Sequence, residues 1–169
     1  MHKAYQITQF DHPICTGGYI TVTGGKDIRI NHIHIEEDAG KLVHDDYEGI
    51  SMADYNRCGV PLIEIVTEPD FRSIEEVQDF VEKLALRLKY AGVCDAKMEQ
   101  GSMRVDVNIS IMPVGSTEFG TRAELKNLNS LKAIGRAIEY ENNRQAEILD
   151  NGGTVIQETR RYNDNHGDT

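Results

Sequence analysis

No stretch of this sequence approaches the ~20 consecutive apolar residues that a membrane-crossing helix needs. The opening residues, MHKAYQITQF, lack the succession of basic, apolar and small residues that marks a secretory signal. Cysteine is scarce. Cys15, Cys58 and Cys94 are far apart, odd in number and form no Cys-x-x-Cys pair, which argues against a zinc knuckle or a disulfide framework. These shortages point to a reducing cytoplasm and no membrane. Basic residues are short too: 18 Lys and Arg face 28 Asp and Glu, for a net charge of −10. A surface that grips a nucleic-acid backbone is usually basic, because neutralising phosphates drives that affinity. This segment is therefore not expected to be a main nucleic-acid anchor, although a local basic patch or a site that meets the end of a nucleic acid fits. Repeats and low-complexity tracts are also missing.

What is present suffices for one domain over residues 1–169, with 39% hydrophobic and 27% charged residues. PLIEIVTEP, from Pro61, reads as a short central strand. SIEEVQDFVEKLALRLKYAG follows as a helix, with a capping box of Ser73 and Glu76, an apolar stripe from Ile74 to Ala91, and Gly92 as its stop. SMRVDVNISI and TRAELKNL alternate as strands. Ser130 opens a second helix that runs to about Leu149 and closes at NGG. Its second half is polar on nearly every side, so it is expected to be largely exposed. TVIQETRRY is a last strand. The order predicts an α+β domain, a mainly antiparallel sheet with helices on one face. Before Pro61 the chain reads as strands and loops. Ile28 and Ile30 are in one phase, and Ile33 and Ile35 in the other, which predicts a bulge near Asn31. Beyond it His32, His34 and Glu36 share a face, while Glu37 and Asp38 begin a turn.

The polar sides of these strands carry the chemistry. In SMRVDVNISI, Met103 to Ile111 alternate as an apolar row, and Arg104, Asp106 and Asn108 fill the other side, where Asp and Asn are poor strand formers. Arg122, Glu124 and Lys126 make a comparable row. Alternate residues on a strand face are roughly 6.6 Å apart and neighbouring strands roughly 4.8 Å apart. Carboxylates from adjacent strands can thus surround one or two Mg²⁺ ions, with Arg and Lys near enough to hold phosphate oxygens, an arrangement suited to phosphoryl transfer. The plainer alternative is a solvated face with cross-strand ion pairs, worth ~0.2–1 kcal/mol each. On the metal–phosphate reading, Asp106, Glu124 and one of Glu36 and Glu37 share one open sheet face. Other features carry less. His32 and His34 lack Cys partners, Cys58 has no neighbouring base, and the TGG and NGG segments are turns. In QETRR, Glu158 and Arg160 point the same way.

The segments YQITQFDHPIC, HIHIEEDAGKL, DYNRCGVPLIEIVTEPD, GVCDAKMEQGSMRVDVNIS, FGTRAELKNLNS and YENNRQAEILDNGGTVIQETRRY follow one another as consecutive blocks. In this the sequence resembles the B-subunit family of the aspartyl/glutamyl-tRNA amidotransferases, from Tyr5 to Thr169. The resemblance implies a glutamine-synthetase/guanidino-kinase-like cradle. With ATP and Mg²⁺, such a cradle activates the side-chain carboxylate of Glu misacylated on glutamine tRNA, or of Asp on asparagine tRNA. Ammonia released from glutamine in an amidase subunit (A) then completes the amidation, and a small stabilising subunit (C) makes up the heterotrimer. By position, Glu36 and Glu37 resemble acidic metal ligands, with Asp106 and Glu124 next. Arg104, Lys126 and Arg160 would face phosphates, and Asn108 and Asn127 the aminoacyl end. Asp106, Glu124 and Lys126 would be the catalytic set.

The sequence departs from the family pattern at two minor positions, Gln100 and Arg122. An N-terminal strand with a GLEVH-like motif and the C-terminal helical and tail domains, which carry much of the tRNA contact, are absent. The chain is therefore expected to be a fragment of the cradle, inactive on its own. Two other readings compete: a non-enzymatic scaffold that docks a partner subunit, and a self-contained Mg²⁺-dependent kinase of a small carboxylate or guanidinium substrate.

Overall fold

The structure is a computed structural model that describes residues 9 and 11–169. The chain divides into two compact units, one of residues up to Thr21 with Gly25–Asp70, the other of Val22–Gly24 with Phe71–Thr169.

In the first unit β3 (Asp27–Glu37) is the hub. It pairs antiparallel with β1 (Cys15–Thr16), β2 (Tyr19–Thr21) and β6 (Pro61–Thr67), while β4 (Lys41–Asp45) and β5 (Ile50–Asp54) form a separate hairpin. Ile30 lies opposite Thr67 but His32 opposite Val66, so two residues of β3 face one of β6. The extra residue is Asn31, where the phase slip of the sequence predicts it. Its side-chain amide donates to Glu68 Oε1 at 2.6 Å. The bulge reverses which side chains are covered: Ile28 is fully buried before it, and His34 (6% exposed) is buried after it while Ile35 is 45% exposed. Arg29 clamps the end of this unit. Its Nη2 and Nε donate to the two Asp70 oxygens at 2.7 and 2.9 Å, and its backbone N–H donates to Asp70 Oδ2 at 3.0 Å.

In the second unit α1 (Ile74–Tyr90) begins at Ser73, whose Oγ accepts from the Glu76 N–H at 3.3 Å. Beyond its end, Gly92 takes a positive φ of 69°. Strands β7 (Val105–Ile109), β8 (Ala123–Leu128) and β9 (Glu158–Arg161) make one sheet, antiparallel between β7 and β8 and parallel between β8 and β9. Between β8 and β9 runs α2 (Leu131–Asp150), as a parallel pair requires a crossover. It packs on β7 and β8, burying Ala133, Ile134 and Ala137, with Ala123, Leu125 and Leu128 of β8 also buried. Helix α1 packs on α2, and a Cβ at Gly135 would stand 2.8 Å from Gln78 Nε2 and 3.2 Å from Ile74 Cγ2. The α+β class and the mainly antiparallel pairing agree with the sequence reading. Among the described residues, however, the strands divide among three hydrogen-bonded sheets instead of one.

The second half of α2 corrects an expectation. Glu141 and Gln145 are fully buried, because partners under the sheet satisfy their polar groups. Glu141 accepts from Arg144 Nε and Nη2 at 2.8 and 2.7 Å and from Gln145 Nε2 at 2.8 Å. Gln145 also bonds the main chain beside β7, accepting from Ile111 N at 3.2 Å and donating to Ile109 O at 3.3 Å. Arg160 of β9 reaches Glu141 at 3.6 Å. Burial alone would raise the Glu141 carboxyl, but the hydrogen bonds from Arg144 and Gln145 prevail and hold it below the ordinary carboxylate range.

Removing one partner of a buried ionic network leaves the others uncompensated. Glu141→Ala should therefore lower unfolding free energy by about 3 kcal/mol, whereas Glu147→Ala on the exposed side should change it by under ~0.5 kcal/mol. Denaturant titration measures both, and equal effects would reject the network's role. A second expectation concerns acid. The Arg29 hydrogen bonds, opposed by partial burial, depress Asp70 to about 2. A depressed carboxylate contributes stability above its unfolded value near 3.8, and that contribution is lost as pH falls through about 2. Asp70→Asn should flatten this part of the stability–pH curve between pH 4 and pH 2. An unchanged curve would show that the pair does not contribute.

Candidate functional site

The face of the β7–β8–β9 sheet turned away from α2 carries a continuous polar row. Lys126 Nζ lies between two carboxylates, 2.7 Å from Asp106 Oδ2 and 3.2 Å from Glu124 Oε1. Thr159 of β9 donates to the other Glu124 oxygen at 2.7 Å. Three strands thus contribute to one chain of contacts: Asp106, Lys126, Glu124, Thr159. The hydrogen bond with Asp106 raises Lys126 above its ordinary value despite partial burial, which holds the ammonium charged. The Thr159 hydrogen bond, helped by Lys126, outweighs burial and lowers Glu124. Asn108 is exposed opposite Glu124, and Arg104 is exposed just before β7, in phase with Asp106.

A bulge sets the position of Lys126. Val105 pairs with Leu128 but Val107 with Leu125, so β8 has one residue more than β7 across this interval. Asn127 absorbs it with φ +69°, a left-handed conformation that Asn tolerates better than most residues. Its Nδ2 donates to Tyr162 O at 2.9 Å, and the Tyr162 N–H donates to Lys126 O at 3.0 Å. The Asn127 side chain is thereby engaged in holding the bulge.

Arg160 is not brought to this row. Its register partner is the buried Leu125, on the side facing α2, where it meets Glu141 and donates to Glu158 Oε1 at 2.6 Å and to the Thr169 hydroxyl at 2.8 Å. Glu158 and Arg160 do point the same way, as their spacing predicts. Alternation then places Thr159 and Arg161 on the open face, two residues that sequence reasoning passed over. The signal was available: QETRRY must alternate, and one of its two arginines had to face outward.

Glu36 and Glu37 are on β3, in the other unit, so the single sheet face shared with Asp106 and Glu124 is not formed. The reason is pairing: β3 takes β6, β1 and β2 as partners, and β7 takes β8. What forms around Glu36 is a second cluster. His34 Nε2 is 3.1 Å from both Glu36 Oε1 and Glu64 Oε2, and ligand atoms of all three residues lie within 4.8 Å of one another. Among the described residues this is the one group of three such side chains able to hold a metal ion. Burial and the nearby Glu36 charge raise the Glu64 carboxyl. His34 Nδ1 is buried without a hydrogen-bond partner among the described residues. Two carboxylates and an imidazole suit a divalent cation, more readily Mn²⁺ than the oxygen-preferring Mg²⁺. Glu37, next along the strand, is exposed and outside the cluster; the half-buried His32, whose ring stacks on His34 at 5.2 Å, is outside it too. Glu64 was missed because PLIEIVT reads as a buried apolar strand; the one charge inside it was the sign.

A model of the GatB/GatE catalytic domain matches residues 1–169. The chain is 61% identical over 170 residues to the B subunit of an aspartyl/glutamyl-tRNA(Asn/Gln) amidotransferase from Ruminiclostridium cellulolyticum, covering 99% of this chain and 35% of the relative. Proteins of the same name match at 60% identity in Caldicellulosiruptor saccharolyticus, over 99% of this chain and 35% of the relative, and in Lachnoclostridium phytofermentans, over 96% and 35%. The chain thus spans about a third of the length of these curated relatives. Matched by the family model along its whole length, it belongs to the GatB/GatE catalytic domain family.

Proposed function

We propose that this chain is part of the catalytic cradle of a tRNA-dependent amidotransferase, in its B subunit, and that the cradle is of the glutamine-synthetase/guanidino-kinase type. The complete protein would work in the cytoplasm with an amidase subunit and a small stabilising subunit. Its reaction joins two transfers. A carboxylate oxygen of Glu on glutamine tRNA, or of Asp on asparagine tRNA, attacks the γ-phosphorus of ATP and ADP leaves. Ammonia then attacks the acyl phosphate, and phosphate leaves as the amide forms. The observation that carries this reading is the Asp106–Lys126–Glu124–Thr159 row, which holds a charged ammonium on an open sheet face. Such an ammonium neutralises phosphate oxygens as charge moves along the transferring group.

In this reading Asp106 and Glu124 orient Lys126, Arg104 adds positive charge, and Asn108 contacts the aminoacyl end. Asn127 and Arg160 support the face by holding the bulge and β9. His34, Glu36 and Glu64 would hold the divalent cation, with Glu37 beside them. Bound there, the ion would supply Lewis-acid character. The net charge of −10 supports leaving most tRNA contacts to other parts of the complete protein.

Asp106→Asn retains size but withdraws one of the two charges that hold Lys126. In the assembled complex, ATP-dependent acyl-phosphate formation should fall by ~100-fold, about 2.7 kcal/mol of transition-state stabilisation, with thermal melting nearly unchanged. Full activity would return the polar row to an ordinary solvated face. For the metal, Mn²⁺ titrated into the chain should broaden the NMR signals of residues around Glu36 and Glu64, and Glu64→Gln should abolish that effect. Broadening centred on Asp106 and Glu124 would move the cation to the other cluster.

A further inference from the structure

Strand β9 carries two adjacent arginines with opposite circumstances. The Arg160 guanidinium is engaged under the sheet by Glu141, Glu158 and Thr169. Arg161 is exposed and makes no side-chain hydrogen bond or ion pair among the described residues. Its register partner across the parallel pair is Lys126. Paired residues in neighbouring strands lie roughly 4.8 Å apart and project to the same side. That side is fixed independently by Thr159, one alternation earlier, whose hydroxyl reaches Glu124. Arg161 therefore stands beside the lysine that two carboxylates hold in place.

The two cations differ in what they have left to offer. Lys126 already gives two of its three donors to Asp106 and Glu124. Arg161 retains a planar fork of five N–H donors, the geometry that matches two oxygens of one phosphate. An unpaired Arg at the end of a row whose other members pair with one another lacks only an anion from outside.

Resting on the phosphate-site reading above, we infer that Arg161 is a further ligand-binding residue of this face, donating in bidentate fashion to the polyphosphate oxygens of a nucleoside triphosphate. Arg160, its neighbour, acts from the opposite side by fixing β9 to α2. The sequence alone cannot separate the two; the strand register does.

The test uses the full-length protein and ATP, with calorimetric titration for binding and thermal melting for fold. Arg161→Ala should weaken ATP binding roughly 10-fold or more, the scale of a lost charged hydrogen bond, without lowering the melting temperature. Arg161→Lys should recover part of the affinity but not the bidentate contact. Arg160→Ala should lower the melting temperature instead. Lys126→Ala separates the two levels of the argument. If it weakens ATP binding and Arg161→Ala does not, the assignment of Arg161 is overturned and the phosphate face stands. If neither variant weakens binding, the phosphate-face reading falls and takes Arg161 with it. A melting loss for Arg161→Ala equal to that for Arg160→Ala would also overturn the assignment, since the residue would then be structural.

Discussion

One buried carboxylate organises the second unit. Glu141 sits in α2, under the sheet, with no solvent to share its charge. It is satisfied only when Arg144, Gln145 and Arg160 converge on it. Through Gln145 it reaches the main chain at the end of β7, and through Arg160 it reaches β9, the strand at the opposite edge. An apolar core would tolerate small slips of either edge strand, because burial is non-directional. A charge in a dry interior does not, since each lost partner leaves an unpaired group. The network's main contribution is consequently registry: it places both edges relative to β8, and the open face inherits that placement.

The open face shows how registry becomes chemistry. Thr159 can meet Glu124 only if β9 lies in its observed parallel register, and Lys126 can lie between Asp106 and Glu124 only if β8 carries its extra residue. The bulge and the buried network are thus two halves of one constraint. Asn127 and Tyr162 tie them together at the strand ends. The first unit repeats the device on a smaller scale, where the bulge at Asn31 turns His34 and Glu36 to the covered side of β3.

Much of this was legible from alternation and capping. Ser73, Gly92 and Ser130 mark helix ends by local rules, and the rows Arg104–Asp106–Asn108 and Arg122–Glu124–Lys126 follow from period two. The slip at Asn31 was legible because apolar residues change phase across it. What escaped the sequence depends on partners far along the chain. Glu141 and Gln145 look solvated until Arg160 and the β7 main chain are brought beneath them. Glu64 looks like an isolated charge in an apolar strand until β3 lays His34 and Glu36 beside it. That the polar rows lie in two sheets is likewise a matter of which strand edges pair, and alternation within a strand carries no information about its neighbours.

The parallel pairing of β9 with β8 also bears on the order in which this face comes into being. A parallel neighbour cannot be reached by a tight turn, so β9 joins only after the 20 residues of α2 have crossed the sheet. Contacts between distant segments are slow to form because the loop must close before they bring any gain. During synthesis, Asp106, Glu124 and Lys126 leave the ribosome well before Thr159 and Arg161. The hairpin of β7 and β8 can pair early, yet its polar row stays unfinished until the crossover is complete. Completion of the face thus reports on completion of the unit, and a chain stalled within α2 presents two carboxylates and a lysine without the strand that orders them.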